Sequence, residues 1–198
     1  MEFRGGNGDD SLDGGGSNDR LEGGNGNDLL ASGAGDDTLI GGNGNDDLFG
    51  DDGIDNLTGD NGDDILHGGA ENDYLEGGNG NDKLTGGNGD DTLIGGNEAD
   101  ILNGGVGDDS LSGGNGPDTF VFKSSFGNDT IEDFRVIGSQ PDMLQFDISL
   151  FANETHLFGS SADTVDGVLI TADAGDTLLI KNTTVAALQA HPEDLYFV

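Results

Sequence analysis

The chain has 198 residues, of which 39 are Gly and none is Cys or Trp, and its 40 acids against 6 bases give a formal net charge of -34. Apolar residues at 32% and aromatics at 6% are too few for a thick globular core, the lack of Cys excludes disulfides and thiolate metal sites, and the charge excludes nucleic acid and anionic lipid as partners. Such a chain is either disordered or folds with cations as part of its structure, and the hard cations that take oxygen ligands are the ones left.

No stretch approaches the ~18 apolar residues of a membrane helix, so membrane insertion is not expected. The N-terminus lacks the basic and apolar regions of a signal peptide. Residues 1–4 read as a cloning scar or linker, and the chain as a fragment of something longer. From Gly5 to Val121 the sequence falls into thirteen nine-residue units without an insertion. Position six is Asp in every unit: Asp10, Asp19, Asp28, Asp37, Asp46, Asp55, Asp64, Asp73, Asp82, Asp91, Asp100, Asp109 and Asp118. Position eight is Leu in twelve units, from Leu12 to Leu111, and Phe120 in the last. Position one is Gly in twelve units, position two in eleven and position four in ten, so the composition follows from the period and not from low complexity.

The three residues around each Leu suit a short strand with one side chain inward, and the six Gly-rich residues between suit a turn through positive φ. Two units then make one coil. Alternate units stack as two parallel sheets in which each strand pairs with the one 18 residues on, and the Leu columns meet as a thin core. A buried Leu contributes roughly 1.5 to 3 kcal/mol, which barely offsets the ~1 to 2 kcal/mol per residue of backbone ordering. The same stacking sets successive aspartates about 4.8 Å apart, a ladder of repelling charges unless a cation lies between them.

The pattern Gly-Gly-x-Gly-x-Asp-x-Leu-x resembles the RTX (repeats-in-toxin, hemolysin-type) calcium-binding family of secreted bacterial proteins. The resemblance implies an all-β fold: a right-handed parallel β-roll, two nonapeptides per coil, over residues 5–121, with a C-terminal β-strand cap over 122–198. It also implies Ca2+ between successive turns. Each ion would take the carbonyls of positions two and four plus the Asp of one turn, and the carbonyls of positions one and three plus the Asp of the next. Carried onto this chain, one site has Gly78, Gly80 and Asp82 facing Gly95, Asn97 and Asp100. In the same way Gly24 and Gly26 face Gly41 and Asn43, Gly42 and Gly44 face Gly59 and Asn61, and Gly87 and Gly89 face Gly104 and Val106. Seven odd and six even units leave at most eleven gaps, so up to about eleven interior ions are expected, which cuts -34 to about -12. Sites that use Ser17, Glu71 or Glu98 at position four, or Asp51 or Asp60 at position two, are expected to be weaker, since a non-Gly residue resists the turn's backbone conformation.

From Phe122 the period ends and Phe becomes frequent, with Phe122, Phe126, Phe134, Phe146, Phe151 and Phe158 in turn. An open solenoid end exposes strand edges and Leu side chains, so this part reads as the cap. Strands are predicted over Thr119 to Phe122, Thr130 to Phe134, Met143 to Phe146, Val168 to Ala172, Thr177 to Lys181 and Leu195 to Val198, with a short helix over Val185 to His191 stopped by Pro192. The segment Gly127 to Phe134 resembles the stretch found directly after the repeats in many RTX proteins; its acids, with Asp142, are candidates for further Ca2+, an acidic turn being the alternative. Glu193-Asp194-Leu195-Tyr196-Phe197-Val198 is similar to the uncleaved C-terminal export signals of type I secretion substrates, and equally suits a final strand.

No metalloprotease His-Glu-x-x-His, no Gly-x-Ser-x-Gly elbow and no phosphate-binding loop is present, and His67, His156 and His191 are isolated. The outward faces differ: odd units expose Leu29, Ala31, Phe49, Ile65 and Ile101, and even units Arg20, Thr38, Thr58, Tyr74 and Thr92. The reading is a non-catalytic, calcium-folded module that promotes folding and type I secretion of an extracellular bacterial protein, with calcium, the type I machinery and an upstream effector domain as partners. The alternatives are a carbohydrate-binding accessory module of the mannuronan-epimerase type and the severed tail of a secreted protease or lipase.

Overall fold

The computed structural model describes residues 1–136, 140–147, 149–150, 157, 160–172 and 175–198. Phe151, Phe158 and His156, singled out above, lie outside the described residues. Consecutive strands fall alternately into two sheets. The first stacks β1 (Glu2–Asn7), β3 (Arg20–Asn25), β5 (Thr38–Asn43), β7 (Asn56–Asn61), β9 (Tyr74–Asn79), β11 (Thr92–Asn97) and β13 (Ser110–Asn115). The second stacks β2 (Ser11–Asp13), β4 (Leu29–Ala34), β6 (Asp47–Asp52), β8 (Ile65–Ala70), β10 (Lys83–Asn88), β12 (Ile101–Val106) and β14 (Thr119–Phe122). Every one of these pairings is parallel with partners 18 residues apart, as in Leu39 with Leu57 and Leu84 with Leu102. The protein is an all-β solenoid of the parallel β-roll type.

Most strands of the roll are six residues long, twice the expected length. Pairing does not stop at position nine but runs through the Gly-Gly-x of the next unit, because position two takes a positive φ and the ladder turns the corner with it. Gly24 and Gly42 both have φ +114 and pair directly. The register skips position one, and only positions four to six lie outside the strands. Glu2, Phe3 and Arg4 form the first half of β1, with Phe3 paired to Leu21 and packed against the core.

Leu21, Leu30 and each position-eight Leu up to Leu111, then Phe120, are fully buried, so both columns form one continuous core between the sheets. The cap prolongs both sheets. β15 (Asn128–Ile131) pairs with β13, and β16 (Met143–Phe146) pairs with β14, all in parallel. The first sheet then adds β19 (Thr177–Lys181) and ends in an antiparallel hairpin with β18 (Gly167–Thr171) and β17 (Ser161–Asp163). The second ends in β20 (Leu195–Phe197), which pairs with β16. Both sheets thus finish on three-residue strands, short edges that offer little to a pairing chain.

Phe122 stacks on Phe146 at 5.5 Å between ring centroids and meets Phe126 edge-on at 5.3 Å, while Phe134 lies 6.0 Å from Phe120. These rings replace the Leu columns where the period ends. Helix α1 (Val185–Ala190) is capped by the Thr184 side chain, which accepts the Ala187 N–H, and a 3-10 turn Pro192–Asp194 follows it. The strand expected over Thr130 to Phe134 instead begins at Asn128 and ends at Ile131. Asp133 explains the early end, since its carboxylate turns back to accept the N–H groups of Gly113 and Gly114 and the Ser112 hydroxyl at 2.6 to 3.0 Å.

Candidate metal centre

Position six ends each turn, just before the strand, and stacking the turns lines the aspartates into two columns. The odd column runs Asp10, Asp28, Asp46, Asp64, Asp82, Asp100, Asp118; the even one runs Asp19, Asp37, Asp55, Asp73, Asp91, Asp109. From Asp19 on, every one of these residues is at least 94% buried. Each donates its backbone N–H to the Oδ1 of the aspartate one coil on, as Asp28 does to Asp46 at 2.7 Å and Asp82 to Asp100 at 2.8 Å. Neighbouring carboxylates are therefore held in single file at fixed spacing, and of the thirteen only Asp19, against the N-terminal ammonium, and Asp118, against Arg135, pair with a positive group among the described residues.

Oδ1 is satisfied in this way, but Oδ2 is not. In twelve of the thirteen position-six aspartates Oδ2 is buried with no hydrogen-bond partner; Asp118 is the exception. A carboxylate oxygen stripped of water and left unpaired is costly, and here the cost recurs on every rung. The surroundings show what would relieve it. At Gly95 an added Cβ would lie 2.3 Å from Asp100 Oδ2 and 2.7 Å from the Gly113 carbonyl oxygen, and the same pair of neighbours recurs at Gly41, Gly59 and Gly77. The bare Oδ2 and the position-one carbonyl of the next coil thus converge on the space that the missing side chain leaves. Two sets of lone pairs facing each other with no hydrogen between them are a cation site made of hard oxygen donors.

The remaining carbonyls predicted as ligands divide into two kinds. Those of positions two and four point along the stack: Gly24 O and Gly26 O lie 2.3 and 2.1 Å from where Cβ atoms of Gly42 and Gly44 would be. The same holds for Gly78, Gly87 and Gly89, which face Gly96, Gly105 and Gly107 at 2.1 to 2.2 Å. The position-three carbonyls of Asn43, Asn61, Asn97 and Val106 already accept an N–H from Gly26, Gly44, Gly80 and Gly89 at 2.8 to 3.3 Å, which leaves each one free lone pair. Among the described residues no group of three or more acidic, His or Cys side chains comes together to hold a metal. A site here must therefore be built mainly from backbone oxygen, which is what a Gly-rich turn can supply.

Burial raises the carboxyl pKa throughout the middle of both columns. Desolvation pushes Asp46, Asp55, Asp82 and Asp109 up to about 6 and Asp64, Asp73, Asp91 and Asp100 up to about 7, against the N–H bonds that lower them. Neighbouring carboxylates of the same column add to the rise at most of these positions, as Asp73 and Asp109 do at Asp91. The roll without cations strains against its own charge.

The RTX calcium-binding nonapeptide repeat model, of four copies, matches residues 2–30, 22–57, 49–84, 58–93 and 85–120, more than half the chain. The chain belongs to that RTX repeat family. None of the curated proteins compared with it matches. RTX repeats bind calcium, and the bare Oδ2 atoms and carbonyls of this roll fit that ion, being oxygen donors that need no deprotonation other than the carboxylates' own.

Where the RTX pattern departs from Gly, the backbone does not. Ser17 has φ +134, and Asp51, Asp60, Glu71 and Glu98 have φ +72 to +74, so the turns keep their shape and carry strain of about 1 to 2 kcal/mol per residue. Glu71 and Glu98 offset part of it, their Oε2 atoms accepting the Gly53 and Gly80 N–H groups at 2.9 and 3.0 Å. Ser32 departs at position one, and its fully buried hydroxyl donates to the Gly50 carbonyl at 2.9 Å, so it occupies part of the cradle that Gly leaves open elsewhere.

Two further ladders run beside the RTX aspartates and were not read from the sequence. At position five, side chains accept the N–H of the same position one coil on, as Asn27 does from Asn45 at 2.9 Å and Asp90 from Asp108 at 2.9 Å. The Asn or Asp found there in ten of thirteen units was the available signal. At position three of the odd units, Asn7, Asn25, Asn43, Asn61, Asn79, Asn97 and Asn115 form an exposed chain of Nδ2 to Oδ1 bonds of 2.7 to 3.1 Å. Among the expected candidates outside the columns, Asp129 and Asp142 do continue the even and odd columns, accepting the N–H of Asp109 and Asp118. His67 stacks on Phe49 at 5.1 Å on the second sheet's outer face, and burial lowers its pKa.

Proposed function

We propose that this chain is a calcium-dependent folding module at the export end of a secreted bacterial protein, with no catalytic role of its own. The observation that carries the reading is the row of buried Oδ2 atoms without partners, one on nearly every rung. Calcium, when bound, supplies two positive charges to each gap between facing oxygens. The aspartate columns bind it; the position-one glycines keep the gaps open; the Leu columns close only when the carboxylates have ceased to repel. In calcium-poor cytosol the same residues keep the chain extended and fit for a type I exporter. Outside, where modules of this class bind with Kd of about 0.1 to 1 mM, binding becomes folding free energy.

The C-terminal residues support a dual role. Leu195–Phe197 is a strand paired with β16 in the folded state, and Val198 N–H bonds to the Phe146 carbonyl at 3.0 Å, so a segment read as an export signal is sequestered once the cap forms. The test is a far-UV circular dichroism titration: a coil spectrum in EGTA that converts to β with millimolar calcium supports the switch, and a β signal already complete in excess EGTA overturns it. Secretion of the chain with and without residues 193–198, co-expressed with a type I exporter, tests the export half.

A further inference from the structure

The two aspartate columns end differently at the cap. In the even column the pattern of the repeats carries on for one more gap. Asp109 donates its N–H to Asp129 Oδ1 at 3.0 Å, Asp109 Oδ2 stays buried without a partner, and Gly127, at φ +84, stands over the Gly107 carbonyl as a position-four glycine does. In the odd column the N–H of Asp118 likewise reaches Asp142 Oδ1, at 3.1 Å, but there the resemblance to the repeats stops. Asp118 is the one position-six aspartate whose Oδ2 is partnered, and the partner is Arg135.

The Arg135 side chain enters from the surface, where it is 37% exposed, and its Nη2 lies 3.2 Å from Asp118 Oδ2 and 3.1 Å from Asp142 Oδ1. The same nitrogen donates to the carbonyl of Gly116, the position-four residue of the last unit, while the Arg135 backbone N–H binds Asp142 Oδ2 at 2.7 Å. Two carboxylates from successive rungs and a position-four carbonyl are among the oxygens that the calcium reading places around each gap within the repeats. Here a guanidinium stands among them. Both carboxylates are at least 99% buried, so a resident positive charge at this point offsets part of the repulsion between them.

We propose that Arg135 is a built-in cation that fills the last gap of the odd column in place of a divalent ion. The proposal rests on the calcium reading above for the other gaps. It gives the cap end of the roll a side-chain cation before calcium arrives, a fixed template on which the unit Gly113 to Val121 can order first. It also sets the ion count: six gaps in the odd column and, with the Asp109–Asp129 gap, six in the even one, matching the twelve bare Oδ2 atoms.

Crystals of the full chain grown in calcium, measured at a long wavelength for calcium anomalous scattering, decide it. The expected map has peaks in the repeat gaps and between Asp109 and Asp129, and none between Asp118 and Asp142. A peak between Asp118 and Asp142 with Arg135 displaced overturns the proposal and leaves the calcium reading standing; no peak in any gap sinks the calcium reading instead. In solution, Arg135→Ala opens the gap, and elemental analysis after gel filtration in calcium is expected to find one more ion per chain than in the unaltered protein. An unchanged count in a folded Arg135→Ala protein overturns the assignment. Arg20→Ala, which removes a surface guanidinium beside Glu22, is the control and leaves the count where it was.

Discussion

Gly95 and Ser32 hold equivalent places in the roll, and the difference between them is one side chain reaching into an interior gap. A methyl group on Gly95 would stand 2.3 Å from Asp100 Oδ2, in the space where the oxygens converge. Gly95→Ala is therefore expected to lower the calcium count by one in isothermal titration while the rest of the roll still folds. Gly6→Ala is the contrast: its φ of +109 makes the substitution strained, but nothing lies within 4 Å of the new carbon. That variant should keep every ion and lose about 1 to 2 kcal/mol of stability, seen as a lower melting temperature in saturating calcium. Ser32 already carries the obstruction in the native chain, so Ser32→Gly is expected to tighten calcium binding at its own rung.

At the scale of the column, the raised carboxyl pKa values give a definite pH dependence. Asp64, Asp73, Asp91 and Asp100 titrate at about 7 in the cation-free roll, against an ordinary value of 3.8. Protonation therefore favours the cation-free fold: the contribution is fully present below the ordinary carboxylate value and is lost as the pH rises through 6 to 7. In EGTA the β signal is expected to be stronger at pH 4.5 than at pH 8, and in calcium the folding midpoint should move to higher concentration below about pH 6, where protons compete for Oδ2. The Leu column makes an independent contribution, and Leu66→Ala at its buried centre should cost roughly 2 to 5 kcal/mol in calcium-saturated thermal unfolding. Both columns were legible in the sequence because the nine-residue period repeats each residue type until chance is excluded. Thr119–Phe122, Met143–Phe146 and Thr177–Lys181 were legible too, being short apolar runs with turns on either side. The strand Asn128–Ile131 was misplaced by two residues because Asp129 belongs to a column whose previous member lies 20 residues away, and local alternation carries no trace of that. Arg135 was missed for a similar reason: its partners stand 17 and 7 residues off, and no spacing rule joins them.

For the whole molecule, stability is close to a sum over rungs and their interfaces, with the ends costing most. The cap covers β13 and β14 and buries Phe120 and Phe122, so a chain cut after Val121 would expose both edges. That truncation is expected to raise the calcium midpoint of folding several-fold by circular dichroism; an unchanged midpoint would mean that the cap contributes nothing to the roll. The exposed asparagine chain from Asn7 to Asn115 has its own bearing on how such a protein can vary. It belongs to the odd units alone, the matching residues of the even units being Gly16, Ala34, Asp52, Ala70, Asn88 and Val106. Removing or duplicating 18 residues keeps asparagine on asparagine, and every face of the roll unchanged. Losing nine would join asparagine to alanine at the scar and exchange the two outer surfaces from there onward. In this chain a change of length by a full coil therefore leaves the asparagine chain intact, and a change by a single unit breaks it.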